Sequence, residues 1–133
     1  MGDLRRRLDA GDSDGVRDIL ASLFARIPHA TAGDGRDPFE NYFQAVLYVT
    51  FLLLGLRVAV ETHVAHGRVD VIVECRRHVW VMELRRDGTA AEALAQIEER
   101  GYALRYAADH RALHRVGCSF DTETRLLSEW EAV

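Results

Sequence analysis

Two carboxylates stand inside apolar, strand-like runs where Val, Ile or Leu would be expected. Asp70 interrupts "GRVDVIVE" and Glu83 interrupts "HVWVMELR". If these runs pair through the even-length loop "CRRH", with Cys75 across from His78, then Asp70 lies directly across from Glu83. Carboxylates opposed in this way repel each other unless a proton or a cation lies between them. The spacing therefore predicts a site for a hard divalent cation such as Mg²⁺, which takes one or two carboxylates together with water and phosphate oxygens.

The other face of the same hairpin supports this register. It would carry three apolar pairs suited to a core, and a shift by one residue would break the match. These pairs are Val69 with Leu84, Val71 with Met82, and Val73 with Trp80. A second interpretation stays open, because structural ion pairs also collect carboxylates. In that interpretation Asp70 and Glu83 lie at strand ends, where each is either solvated or bridged to Arg68, Arg85 or Arg86.

Two helices are predicted ahead of the strands that carry the carboxylates. Asp12 and Ser13 are N-cap candidates for an amphipathic helix that ends near Pro28. A second helix, from about residue 39 to 54, is apolar nearly all round and stops at Gly55. It is the predicted central helix of the core.

The remaining elements are five strands and one further helix. Apolar residues recur with a period of two in 57–67, 68–75 and 78–85, and "ALHRVGCSF" and "RLLSEWEAV" predict two more strands. Thr89 and Glu92 form a capping box for a helix that Gly101 ends. The order α-α-β-β-β-α-β-β predicts an α/β fold, a mixed sheet flanked by helices. We expect one domain over 1–133, with 1–37 as a helical extension and 38–133 as its core.

The composition narrows the class of protein. Apolar residues make up 48% of the chain and charged residues 29%, as in ordinary globular proteins. The longest apolar run, 45–56, is shorter than the roughly 20 residues of a membrane span, and no apolar run follows the basic residues near the start, so we expect no signal peptide. We therefore expect no membrane partner and a cytoplasmic protein. The net charge of −4 excludes a globally basic surface, although all 17 basic residues are Arg and a local basic face remains open.

Cysteines and histidines offer weaker signals. Cys75 and Cys118 have no partner at metal or redox spacing and are expected to be reduced, partly buried thiols. The pairs His63-x-x-His66 and His110-x-x-x-His114 have spacings seen in metal sites. Because they flank a turn and a polar loop, surface histidines are the better interpretation.

The segments around the two carboxylates resemble the PD-(D/E)XK nuclease superfamily, whose pattern is an Asp followed, on the next strand, by Glu-x-Lys. The residues concerned are "GRVDVIVE", "VWVMELRRDGTAAEALAQIEERGYALRY" and "VGCSFDTETRLLSEW". They look like the nuclease domain found behind an AAA-ATPase-like domain in bacterial proteins. The resemblance implies a restriction-endonuclease-like fold and hydrolysis of nucleic acid, with DNA as the expected form, using Mg²⁺ or Mn²⁺. An ATPase-like partner in trans and a homodimer are both compatible with it.

The resemblance implies roles for individual residues. Asp70 and Glu83 correspond to the metal ligands, and Glu40 matches the acidic residue that many members supply from the preceding helix. Gln96 lies where members often have a polar residue that points at the site, and Arg85 takes the place of the motif Lys. Asp70, Glu83, Arg85 and Gln96 are thus the predicted catalytic set.

Two positions depart from the family pattern. Arg85 cannot accept a proton as the motif Lys could, although its guanidinium can bind phosphate through two hydrogen bonds. Gln44 stands where related sequences often have His. A weakened nuclease is therefore predicted, and the alternative is a module that keeps the fold, has lost catalysis, and binds nucleic acid or protein.

Overall fold

The structure is a computed structural model that describes residues 2–26, 55–63, 68–86, 88–101, 105–106, 108–121, 124 and 126–133. Within these ranges the chain forms three helices and five strands. The helices are α1 (Gly2–Asp9), α2 (Ser13–Ala25) and α3 (Ala90–Glu99). The strands are β1 (Arg57–His63), β2 (Arg68–Glu74), β3 (His78–Arg86), β4 (Ala112–Phe120) and β5 (Leu127–Ala132).

The strands form one mixed sheet in the order β1-β2-β3-β4-β5. Neighbouring strands are antiparallel except β3 and β4, which are parallel. The parallel pair follows from the connection, because α3 carries the chain back across the sheet between β3 and β4. The predicted α/β fold with a mixed sheet flanked by helices is confirmed.

Each face of the sheet has its own helical layer. On one face, here called the α1–α2 face, the alternate strand residues Val71, Met82 and Val116 join a core cluster with Leu8 of α1 and Leu20 of α2. On the opposite face, here called the α3 face, a smaller cluster joins three strand residues to Ile97 of α3. These strand residues are Ile72, Val79 and Val81. The sheet is therefore the middle of three layers.

The helix ends follow the local sequence as predicted. Asp12 caps α2, and its side chain accepts a hydrogen bond from the backbone N–H of Gly15 at 3.0 Å. Thr89 and Glu92 form the complete capping box of α3. Gly101 follows α3 with φ of +70°, a left-handed conformation that favours glycine. These caps fix where α3 begins and ends over the sheet.

The helices ahead of the sheet differ in part from the prediction. α2 is the predicted first helix, whereas α1 was not predicted as a separate helix. The predicted core helix over 39–54 lies outside the described residues. Leu4 and Leu8 of α1 are buried in the same cluster as Phe24 of α2, so both helices are part of the core layer.

No described helix is both long and apolar enough to cross a membrane.

The two cysteine thiols behave as predicted. Cys75 and Cys118 are buried and form no disulfide. Burial, followed by the nearby Asp9 carboxylate, raises the pKa of the Cys75 thiol to about 12. Both side chains are therefore protonated packing groups at neutral pH.

Candidate active site

The two predicted carboxylates lie directly across from each other in the sheet. β2 pairs with β3 so that Asp70 opposes Glu83, and Val71 opposes Met82 one step along. The predicted register is confirmed at every pair from 68 to 74. Directly opposed residues of an antiparallel pair lie on the same face, so both carboxylates lie on the α3 face. Asp70 is 3% exposed and Glu83 is fully buried.

α3 covers these carboxylates because β4 carries a glycine beside them. Gly117 is the β4 residue opposite Glu83. A Cβ at Gly117 would lie 2.3 Å from the carbonyl oxygen of Ala90 and 3.0 Å from Cβ of Ala93. The helix backbone therefore rests directly on the sheet at this point, which accounts for the burial of Glu83.

Asp70 forms an ion pair with an arginine that the sequence analysis did not select. Nη1 of Arg100 donates to Oδ2 of Asp70. Arg100 is the C-cap residue of α3, and its side chain is 23% exposed. It lies one helical turn after Gln96, and residues four apart share a helix face. That spacing was the available signal, because Gln96 was already predicted to point at the site.

Glu83 faces the arginine that replaces the motif Lys. Nε of Arg85 lies 3.5 Å from Oε2 of Glu83, and Nη1 of Arg85 lies 3.1 Å from Oε2 of Glu92. Glu92 belongs to the first turn of α3. Arg85 therefore lies between a fully buried carboxylate of the sheet and an exposed carboxylate of the helix. Of the second interpretation of the sequence, the pairing of Glu83 with Arg85 is seen, but Glu83 is fully buried within β3 rather than solvated at a strand end.

Of the other predicted site residues, the structure describes only Gln96. Gln96 is half-buried on α3, and its Nε2 donates to Oε2 of Glu99 at 3.0 Å. Glu40, the predicted third ligand, and Gln44 lie outside the described residues. Glu61 of β1 is the strand residue opposite Asp70. Glu61 was not among the predicted site residues.

The pair of carboxylates fits a hard divalent cation by its chemistry. Carboxylate oxygens are ligands that Mg²⁺ and Mn²⁺ prefer, and Mg²⁺ needs only one or two of them. Within the described residues no group of three His, Cys, Asp or Glu side chains could hold a metal ion. Asp70 and Glu83 are therefore two candidate ligands that by themselves fall short of a three-residue metal site, and each already has an arginine as its counter-ion.

Of the histidine pairs that the spacing marked, the side chain of His63 and the whole of His66 lie outside the described part of the chain, and His114 contacts His78 of β3. Nδ1 of His78 lies 2.8 Å from Nε2 of His114, and the ring of His114 stacks on Trp80 with 4.3 Å between ring centroids. His110 is exposed. Burial, and then the neighbouring His78, lowers the pKa of His114. The pair lies against Gly11 in the α1–α2 turn, at the rim of the α1–α2 face.

Comparison with known proteins gives a match to a family model and a match to a curated protein. A profile described as the PD-(D/E)XK nuclease superfamily matches residues 38–130. An uncharacterized protein in the vnfD 5' region of Azotobacter chroococcum mcd 1 is 33% identical over 127 residues. The match covers 93% of this chain and 25% of that protein, so the chain spans about a quarter of the relative's length. No solved structure matches significantly.

Proposed function

Because the chain belongs to the PD-(D/E)XK nuclease superfamily, we propose that it hydrolyses phosphodiester bonds of nucleic acid with a divalent cation at Asp70 and Glu83. The observation that carries this proposal is the direct opposition of two buried carboxylates on adjacent strands. Such burial costs free energy even with the two arginines close by, because desolvation of the charges can exceed their mutual attraction, and functional sites are where folds keep such costs. DNA is the expected substrate.

The predicted site residues divide the proposed work among them. Asp70 and Glu83 would hold Mg²⁺ or Mn²⁺, with Glu40 as a third ligand, and Gln96 would orient water or substrate from α3. A bound ion supplies Lewis-acid activation of water and stabilises charge on the phosphate. The two carboxylates would hold such an ion in a fixed place, since both belong to paired strands rather than to loops.

Arg85 is proposed to bind the scissile phosphate rather than to move a proton. Its guanidinium presents its donors as a planar fork that suits two-point binding of phosphate. Its contacts with Glu83 and Glu92 hold the side chain at the site. The same contacts neutralise it, so phosphate must compete with carboxylates for its donors. We therefore expect weak catalysis.

A second function is favoured by the two arginines at the carboxylates. Because Arg100 contacts Asp70 and Arg85 contacts Glu83, the site carries its own counter-ions. A module that binds nucleic acid or protein without cleaving it would need no more than this. Binding without cleavage is therefore the competing proposal.

Cleavage assays on matched variants test the first proposal. The chain would be incubated with double-stranded DNA, single-stranded DNA and RNA in Mg²⁺ or Mn²⁺, with Glu83→Gln as the blank for contaminating nucleases. Wild-type cleavage above this blank, raised by Arg85→Lys and lowered by Arg85→Ala, would support it. Asp18→Asn on the exposed side of α2, across the sheet from the site, is the control for a neutralised surface carboxylate.

Fluorescence anisotropy separates the two proposals. If wild type and Arg85→Lys both match the blank on every substrate, catalysis is abandoned. Binding of labelled nucleic acid under those conditions would then support the binding module. An ATPase-like partner, a homodimer and a cytoplasmic location stay predictions, and size-exclusion chromatography with light scattering tests the dimer.

A further inference from the structure

Asp70 already has a cation at its side chain, supplied by the end of α3. We propose that Arg100 is an internal counter-ion of Asp70 that a divalent metal must displace, so that Arg100 sets the metal affinity of the site. This inference rests on the proposed metal site. It assigns a positioning function to a residue that lies 30 positions away from Asp70 in the sequence.

The buried carboxylate of Asp70 interacts electrostatically with Arg100 and would do so with a metal ion. Asp70 is 3% exposed, and a buried carboxylate is stable as an anion only with a cation or hydrogen-bond donors close to it. Nη1 of Arg100 donates to Oδ2 of Asp70 and meets this need. A metal ion ligated by Asp70 would bring two positive charges next to the guanidinium, and like charges at contact distance repel strongly in a buried site.

The two arginines of the site differ in how they contact their carboxylates. Arg85 also contacts Glu92, which is an exposed residue on the first turn of α3. A metal at Glu83 would leave that contact with Glu92 intact. Arg100 instead donates a hydrogen bond directly to Asp70, one of the two carboxylates that would ligate the metal, whereas Nε of Arg85 lies 3.5 Å from Glu83. Displacement is therefore expected at Arg100 rather than at Arg85.

Arg115 provides a matched control. It lies on β4 and forms an ion pair with Glu98 of α3, so it also joins α3 to the sheet. Its side chain is 27% exposed, close to the value for Arg100. Arg115→Gln therefore removes the same charge and a similar contact from α3, yet it leaves Asp70 untouched.

The experiment measures Mn²⁺ binding to the full chain without substrate, from the electron paramagnetic resonance signal of free Mn²⁺. Wild type, Arg100→Gln, Arg100→Lys and Arg115→Gln would be compared, with Asp70→Asn as the blank and circular dichroism as the check on folding. Arg100→Gln should lower the Kd for Mn²⁺ about tenfold or more, which corresponds to about 1.4 kcal/mol per factor of ten. Arg100→Lys keeps the charge and should give a smaller gain, and Arg115→Gln should match wild type.

Three outcomes would overturn the inference. If wild type binds Mn²⁺ and Arg100→Gln binds it no more tightly, Arg100 does not compete with the metal. If Arg115→Gln tightens binding as much as Arg100→Gln, the effect is one of net charge. If none of the proteins binds more Mn²⁺ than Asp70→Asn does, the metal site itself fails, and this inference fails with it.

Discussion

The α1–α2 face of the sheet is apolar across its central strands, whereas the α3 face carries charge at its centre. On the first face Val71, Trp80, Met82 and Phe120 are almost fully buried together. The buried polar residues in the described part of the chain all belong to the second face. They are Asp70, Glu83 and Ser119. The same three strands supply both faces.

The difference shows which face holds the fold together and which carries the candidate site. Burial of apolar side chains stabilises a protein without any partner of opposite charge. Burial of Asp70 and Glu83 costs free energy, which Arg100 and Arg85 offset only in part. The α1–α2 face is therefore expected to supply the stability on which the charged α3 face depends. The following predictions test this contrast, from the largest expected effect to the smallest.

A carboxylate introduced at position 71, on the α1–α2 face, should destabilise the fold strongly. Val71→Asp places on the α1–α2 face the group that Asp70 already places on the α3 face. Because no arginine of the site reaches it there, we expect a loss of more than about 4 kcal/mol in the free energy of unfolding. Urea denaturation measures the loss, and Val71→Ala gives the cost of the lost methyl groups alone. A Val71→Asp variant as stable as Val71→Ala would show that the two faces do not differ.

A divalent cation should stabilise the wild type through the α3 face. An ion that binds only the native state at a concentration of one hundred times its Kd adds about 2.7 kcal/mol. The Tm should therefore rise with Mg²⁺ or Mn²⁺ in wild type and stay constant in Asp70→Asn. Equal rises in both proteins would place the ion elsewhere on the molecule.

A methyl group at Gly117 should separate α3 from the sheet. The added Cβ would lie 2.3 Å from the carbonyl oxygen of Ala90, which is backbone and cannot turn away. Gly117→Ala should therefore cost about 1–3 kcal/mol. Gly88→Ala is the control, because its Cβ would approach only the flexible side chain of Arg85, at 3.0 Å. Similar losses in chemical denaturation for both variants would argue against direct contact of α3 with β4.

The opposed carboxylates were predictable because alternation along a strand fixes which residues share a face. Once the apolar partners of Val71 and Val73 were matched, only one register placed them together, and it set Asp70 against Glu83. The cap at Thr89 was equally predictable, since capping depends on residues within one turn.

Contacts between distant segments were not predictable from local patterns. The pair of Arg100 with Asp70 depends on how α3 crosses the sheet, and the sequence does not fix that crossing. The approach of His78 to His114 depends on the parallel pairing of β3 with β4, whose register is set by the length of the whole crossover. α1 was missed because charged residues dominate its sequence, "GDLRRRLD", and only Leu4 and Leu8 mark its buried side.

The histidine pair is the polar exception on the α1–α2 face, and it should make stability depend on pH. Burial first, and the neighbouring His78 second, lower the pKa of His114 below its ordinary value of about 6.5. Between the lowered pKa and about pH 6.5, the unfolded chain therefore binds a proton that the native chain does not. Native stability rises with pH through this window and is lost as the pH falls below about 6.5.

Substitution at His114 should remove this part of the pH dependence and little else. In His114→Gln the group that titrates differently in the two states is absent, so the difference in unfolding free energy between pH 5 and pH 8 should shrink. The lost stacking on Trp80 should cost about 1 kcal/mol at both pH values. His110→Gln removes an exposed histidine from the same segment and should keep the wild-type pH dependence. If His114→Gln and His110→Gln both keep it in urea denaturation, the acid sensitivity originates elsewhere, and the charged α3 face becomes the next place to test.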